Sequence, residues 1–139
     1  MPDSTYSPKT YRKQGGDEFV IASGGKLTHE AGSILQVAAI TDPGNAGAIP
    51  VSSSGTVALV TAGAETRTLA APMTVGQDLL LYFKTDGGDC VVTAATGLNQ
   101  TGNTIATFND AGDTLLLRAI ESGANLRWRV VANDGVVLS

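Results

Sequence analysis

The 139 residues carry nine Lys and Arg against 13 Asp and Glu, a net charge of −4. An acidic chain with few basic clusters is a poor match for nucleic acid, whose phosphates are neutralised by Lys and Arg. The single cysteine excludes an intramolecular disulfide, and no apolar run is long enough to cross a bilayer. The first residues also lack the basic-then-apolar order of a secretory signal, so we expect one soluble domain made in a reducing cytoplasm, with no nucleic-acid or membrane partner.

Residues 1–16 predict an extended N-terminal arm, because they contain Pro and Gly and no apolar period. Two interpretations of the arm stand side by side: a solvated terminus, or a segment that orders when it docks on an acidic protein surface. Tyrosine and arginine are common in protein interfaces, which favours docking. The candidate partner-binding residues of the arm are Tyr6, Lys9, Tyr11, Arg12 and Lys13.

Residues 17–41 predict a short segment of β-rungs. Ile21, Leu27 and Ile34 recur every six or seven residues with glycines between them, a spacing typical of short strands that wrap around an axis. Because one chain would leave much of this apolar surface open, we expect three copies to close it, and a trimer is favoured over a dimer. Residues 42–55 read as a loop or linker, with a turn at Asp42–Gly44 and a flexible run at Ser52–Gly55.

Residues 56–139 predict a series of short strands separated by Gly-containing turns, which is typical of a β-sandwich or jelly-roll-like domain. The fold class is therefore all-β, and no segment indicates a convincing helix. The predicted strands are Thr56–Thr61, Glu65–Ala70, Asp78–Lys84, Asp89–Ala94, Asn103–Phe108, Asp113–Ile120, Asn125–Val131 and Val136–Leu138.

Two of these strands are apolar on both faces. Along Asp113–Ile120, Leu115 and Leu117 alternate with Leu116, and along Asp78–Lys84, Leu79 and Leu81 alternate with Leu80. In a single small sandwich nothing covers the outer face, so we expect a neighbouring copy to cover it. The predicted oligomer contacts are Ile21, Leu27, Ile34, Leu80 and Leu116.

Chemistry-bearing residues are sparse. His29 is the only histidine and Cys90 lies within a predicted strand, so neither a nucleophile–base pair nor a closed zinc site is indicated. Two turns are flanked by Asp residues, namely Asp86, Asp89, Asp110 and Asp113. Such pairs can bind Ca²⁺ weakly, but we expect them to act as turn formers. We expect no catalytic residues, no cofactor and no metal, and therefore no enzyme.

The run Tyr11–Gly16, followed by Val20–Thr28 and Gly32–Ile34, resembles the N-terminal part of small head proteins of tailed bacteriophages. Later segments resemble the β-domain of phage decoration and head-fibre proteins, namely Glu65–Ala70 with Ala71–Met73, Leu79–Lys84, Cys90–Ala94 and Trp128. The resemblance implies a cement or decoration protein on the outer surface of the phage head, which binds major capsid protein, often as a trimer. A β-rich tail fibre or spike module that binds a host-surface receptor is the alternative.

Overall fold

The computed structural model describes residues 10–12, 15–16, 19–26, 31, 37–123 and 125–139, the first three of them as backbone only. Two compact units are present, a hairpin unit (Met1–Gln36) and a sandwich unit (Val37–Ser139). Every regular element among the described residues is a β-strand, which confirms the all-β class. In this part of the chain no helix is long and apolar enough to cross a membrane.

The hairpin unit contains two antiparallel strands, β1 (Thr10–Arg12) and β2 (Phe19–Ile21). Tyr11 lies opposite Val20 in the register. Gly15 and Gly16 lie between the strands with φ of +112° and +87°, a backbone region that side chains with a Cβ rarely adopt. Part of the predicted arm is thus a strand, because the segment finds hydrogen-bond partners in β2.

The sandwich unit consists of two five-stranded sheets that follow the same pattern. The first sheet has the order β11-β10-β7-β5-β3 and the second the order β12-β9-β8-β6-β4. The strands of the first sheet are β3 (Ala38–Ile40), β5 (Gly55–Val60), β7 (Asp78–Thr85), β10 (Thr114–Ser122) and β11 (Asn125–Asp134). Those of the second sheet are β4 (Gly47–Ile49), β6 (Glu65–Leu69), β8 (Cys90–Ala94), β9 (Ile105–Phe108) and β12 (Val137–Leu138).

The chain from β3 to β8 crosses between the sheets at every step and forms three stacked arches. β3, β5 and β7 pair in parallel in the first sheet, and β4, β6 and β8 pair in parallel in the second. The arch loops 41–46, 61–64 and 86–89 lie together at one end of the sandwich, which we call the arch end; the connection 109–113 and residues 134–135 also lie there. The opposite end, which holds the connections 50–54 and 70–77, is the return end.

Backbone hydrogen bonds run from one arch loop to the next. The amide of Ala46 donates to the carbonyl of Thr66 (2.8 Å), and the amide of Thr61 donates to the carbonyl of Thr85 (3.0 Å). Gly47 lets the first arch close, because a Cβ at this position would lie 2.5 Å from the Cβ of Pro43. The loops therefore satisfy much of their own backbone polarity, as buried or packed loops must.

The inner faces of the two sheets form one core. Phe83 of the first sheet and Phe108 of the second meet edge to face with ring centroids 6.3 Å apart, a favoured aromatic geometry. Trp128 is fully buried, and its Nε1 donates to the carbonyl of Ala70 at 2.8 Å. At the return end buried Gln77 donates through Nε2 to two carbonyls of the 50–54 connection. The other fully buried apolar side chains include Val57, Leu59, Leu69, Leu79, Leu81, Leu98, Leu115 and Leu117.

The boundaries of the sandwich differ from those expected from the sequence. The unit begins at Val37 rather than Thr56, since β3 joins the first sheet and β4 joins the second. Residues 42–55 are not a linker: Ile49 is a core residue with 2% exposure. Stacked rungs of the kind predicted for 17–41 are present at 38–94, and most of residues 27–36 lie outside the described part of the chain. The jelly-roll order is unconfirmed, because the arches pair in parallel whereas Greek-key strands pair antiparallel.

Candidate interaction surface

The hairpin unit presents an apolar face. Phe19 and Ile21 are two residues apart on β2, so they point to the same side of the ribbon. Their exposed fractions are 61% and 39%, which is high for large apolar side chains. Ile21, a predicted oligomer contact, is thus open within its own unit.

The other predicted residues of this unit are described less fully. Tyr11 and Arg12 lie on β1, of which only the backbone is described. Tyr6, Lys9, Lys13, Leu27 and Ile34 lie outside the described residues, as does His29. Their roles stay predictions.

The outer face of the first sheet carries a row of side chains that runs across four strands. Thr56, Leu80, Leu116 and Ala132 are neighbours in this row, in that order. Thr56, Leu80 and Leu116 are half-buried, and Ala132 is exposed. A single copy therefore shields the two predicted contact leucines only in part.

Further apolar side chains flank this row. Ala58 and Tyr82 form the next row toward the arch end, while Val60 and Ile120 lie at its margins and are 45% and 37% exposed. Val131, at a bulge in β11, is 54% exposed. An apolar patch of this kind on an otherwise polar surface is typical of a site that binds another protein.

A charged pair borders the patch on the return side. Arg118 donates to both carboxylate oxygens of Asp78, through Nε at 2.7 Å and through Nη2 at 2.8 Å. This hydrogen bonding lowers the pKa of Asp78. Both side chains are largely exposed, so water screens the pair and it contributes little to folding.

A buried ion cluster lies at the arch end, on the inner side of the second sheet. The guanidinium of Arg67, which is fully buried, donates from Nε to Asp42 Oδ1 at 2.8 Å and from Nη2 to Asp42 Oδ2 at 3.1 Å. Glu65 Oε2 lies 2.9 Å from Nη2, and the carbonyls of Val60 and Thr66 accept further bonds. The cluster ties the first two arches together.

The ionisation of this cluster follows from its partners. Burial acts to raise the pKa of Asp42, but the hydrogen bonds from Arg67 and from two backbone amides outweigh it and lower the pKa. The hydrogen bond to Asp42 raises the pKa of Arg67, which stays charged. The carboxylate of Asp42 and the guanidinium of Arg67 are bonded to one another, so the arrangement is structural. Neither group is free to exchange a proton with a substrate, as acid–base catalysis requires.

Cys90 lies at the start of β8, opposite Glu65 in the register, and is fully buried. Burial raises the pKa of its thiol to about 11. A protonated buried thiol is a poor nucleophile and packs as a small apolar group.

Because the pKa of Asp42 is lowered in the folded protein, the free energy of unfolding should depend on pH in the acid range. A carboxylate with a folded-state pKa below its ordinary value of 3.8 stabilises the fold above that pH, and the stabilisation is lost as the pH falls through the folded-state pKa. We expect Asp42→Asn to be much less stable than the wild type at pH 7, and the difference to shrink below about pH 4. Urea unfolding at several pH values measures this, with Asp78→Asn in the exposed pair as the control. A difference that stays constant down to about pH 2 would contradict the assignment.

The Asp residues beside the turns act as turn formers where the structure shows their contacts. Oδ2 of Asp113 accepts from the amides of Asn109 (2.9 Å) and Asp110 (3.2 Å), and Oδ1 of Asp86 accepts from the amide of Gly88 at 2.8 Å. Among the described residues, no three His, Cys, Asp or Glu side chains are grouped as a metal site requires.

A shallow groove of about 370 Å³ lies beside the outer strand β11. Both polar and apolar side chains form its walls, namely Leu98, Asn99, Gln100, Thr101, Arg129 and Val130. Nη1 of Arg129 donates a hydrogen bond to the carbonyl of Gly97 at 2.6 Å. The hydroxyl of Thr101 donates a hydrogen bond to Oδ1 of Asn99.

No protein-family model and no curated protein matches this sequence.

Sequence reasoning missed the buried cluster. A signal was present in the sequence. Arg67 is two residues before Leu69, so both side chains point to the inner face of β6, and a charged group buried there needs a partner. The partner Asp42 lies 25 residues away in the chain, in a turn, where Asp is expected for other reasons.

Proposed function

We propose that this chain is a structural virion protein, not an enzyme, that decorates and cements the head of a tailed phage by binding major capsid protein as a symmetric oligomer. The observation that carries the binding role is the half-buried row through Leu80 and Leu116, which its own chain leaves open. The observation that carries the phage assignment is the resemblance of Tyr11–Gly16 and Val20–Thr28 to small head proteins. In this role the protein is located on the outer surface of the head.

The sandwich supplies a rigid body for this function. Its three arches are joined by backbone hydrogen bonds and by the Asp42–Arg67 pair, so the outer face of the first sheet is held in one shape. Burying apolar area on such a face gains roughly 25 cal/mol per Å², and a preformed face loses little entropy on binding.

An oligomer adds a second factor. When several copies are joined, each copy that binds a capsid subunit raises the effective concentration of the next, and weak contacts become a stable attachment. The exposed Phe19 and Ile21 on the hairpin unit, with the candidate arm residues on the same unit, provide a second contact on each copy.

The outer face can be tested with a matched pair of substitutions. Thr56→Asp places a carboxylate beside Leu80 on the first sheet, whereas Thr68→Asp places the same group on the outer face of the second sheet. We expect Thr56→Asp to reduce binding to phage heads that lack this protein by about tenfold or more, since a desolvated charge is costly in an apolar contact, and Thr68→Asp to bind as the wild type. Co-sedimentation with heads measures both variants, after circular dichroism has shown that each is folded.

Equal binding by the two variants would remove the outer face of the first sheet from the proposal. Absence of binding by the wild-type protein would remove head decoration itself.

The groove beside β11 favours a second candidate function, a tail fibre or spike module that binds a host-surface receptor. Amide, hydroxyl and guanidinium groups line it, and these are the groups that bind saccharide hydroxyls. Binding to a glycan array without affinity for heads would favour this candidate over decoration.

A further inference from the structure

The charged side chains of the sandwich unit are segregated along the strand direction. Arg118, Arg127 and Arg129 lie in the half of the first sheet nearer the return end, with only Asp78 and Glu121 beside them. Seven of the nine acidic residues of the unit lie at the arch end with only Arg67 and Lys84 as cations, namely Asp42, Glu65, Asp86, Asp89, Asp110, Asp113 and Asp134. The arch end is therefore strongly acidic, and the opposite half of the sheet is basic.

At each end, part of the charge is free to act on a partner. At the arch end Arg67 neutralises Asp42 and Glu65, whereas Asp89, Asp110 and Asp134 are exposed and form no ion pair with the described residues. On the basic half Asp78 neutralises Arg118, which leaves Arg127 and Arg129.

Arg127 is the more informative of these two arginines. It lies opposite Ile120 on the outer face, and its Nε is buried with no acceptor in the part of the chain that the structure describes. A buried N–H without an acceptor costs free energy, which a carboxylate brought by a partner would recover. Ile120 lies beside it, at the margin of the apolar patch, so the site joins that patch to an unpaired cation.

The sign of these charges decides between two modes of self-association. If two copies met through the same outer face with their strands parallel, the arginines of one would face the arginines of the other, and like charges in an interface are unfavourable. With the strands antiparallel, the arginines would face the arch-side half of that face, where Lys84 and Asp134 leave no net charge to attract them. If the arch end of one copy met the outer face of the next, carboxylates would face arginines. The complementary surface is thus present on the same chain.

We infer that copies of this chain associate head to tail, with the acidic arch end of one copy seated against the arginine-bearing half of the outer face of the next. Such heterologous contacts form a closed ring when the rotation between copies closes. The inference rests on the proposed function in one respect, since it names how the symmetric oligomer is held together.

The test uses the full chain and two complementary charge reversals. The face variant is Arg127→Glu, and the end variant combines Asp89→Lys with Asp110→Lys. We expect the wild type to have a solution mass of at least twice the 14.2 kDa of one chain at low salt and to dissociate as salt is added. Each variant alone should associate about tenfold more weakly. An equimolar mixture should associate more strongly than either variant alone, because every contact between unlike variants joins opposite charges: all contacts of an even-numbered ring, and two of the three contacts of a trimer.

Light scattering gives the masses, thermal unfolding by circular dichroism shows that the variants are folded, and Lys26→Glu on the hairpin unit is the control for a charge reversal elsewhere. A wild-type monomer at all salt concentrations would overturn the inference. So would an end variant that keeps the wild-type mass, since that result requires same-face pairing. Binding to phage heads is measured in parallel. If the wild type is a monomer that still binds heads, only the head-to-tail association is wrong. If it is an oligomer that binds no heads, only head decoration is wrong.

Discussion

Arg67→Ala is expected to lower the free energy of unfolding by about 3 kcal/mol. The substitution leaves the carboxylates of Asp42 and Glu65 facing one another at the arch end without their shared cation. It also removes the Arg67 donors to the carbonyls of Val60 and Thr66, although the carbonyl of Thr66 keeps the amide of Ala46 as a donor. Removal of one partner of a buried pair costs about 3–5 kcal/mol, and the lower value applies here because the Asp42 side chain keeps 13% exposure to water.

The exposed pair on the same molecule provides the control. Arg118→Ala breaks a bidentate contact to Asp78 of nearly the same geometry, but in water, so we expect little change in stability. Urea unfolding of both variants at pH 7 compares them directly. Equal losses would show that the Arg67 cluster is hydrated and does not hold the arches. Arg67→Lys should be nearly as unstable as Arg67→Ala, because one ammonium cannot reproduce the fork of bonds to Asp42.

Trp128→Ala is the second large expected effect. The indole is fully buried on the inner side of β11, where Ala119 of β10 is its register partner. Replacement by Ala leaves a cavity between the sheets and costs about 3–5 kcal/mol. It also removes the donor to the carbonyl of Ala70, which joins the first sheet to the end of β6.

Trp128→Phe separates these two contributions. Phenylalanine fills much of the volume but cannot donate a hydrogen bond, so we expect a smaller loss of about 1–2 kcal/mol. Unfolding is followed by far-ultraviolet circular dichroism, since Trp128 is the only tryptophan and its removal abolishes that fluorescence signal. If Trp128→Phe is as unstable as Trp128→Ala, the hydrogen bond rather than the volume is the dominant contribution.

Much of the strand pattern followed from the alternation of apolar and polar residues. The predicted strands Glu65–Ala70 and Asp78–Lys84 differ from the observed β6 and β7 by one residue at one end. Period-two alternation separates Leu115 and Leu117 from the expected outward contact Leu116, and both are fully buried whereas Leu116 is half-buried. Local patterns suffice here because a half-buried strand must present one face to the core.

The candidate surface could be predicted only in part. Two-sided apolar strands indicated Leu80 and Leu116, and the structure makes them direct neighbours across β7 and β10. The apolar and charged surroundings of that pair were not predictable, because Arg127 and Arg118 reach the same face only through the register of β10 with β11. Register depends on hydrogen bonds between strands that the sequence of one strand does not disclose.

By itself, the amino-acid sequence determined that this chain forms short strands, which side of most strands is buried, and that glycine-containing turns separate them. Only the tertiary structure decided that successive strands cross between two sheets, that residues 38–49 belong to the sandwich with Ile49 in its core, and that Asp42 meets Arg67. Alternation records which face of a strand avoids water, and that preference is local. The choice of neighbour depends on parallel pairing between segments about 20 residues apart, where backbone hydrogen bonds and core packing act together, so it is settled by the whole unit at once.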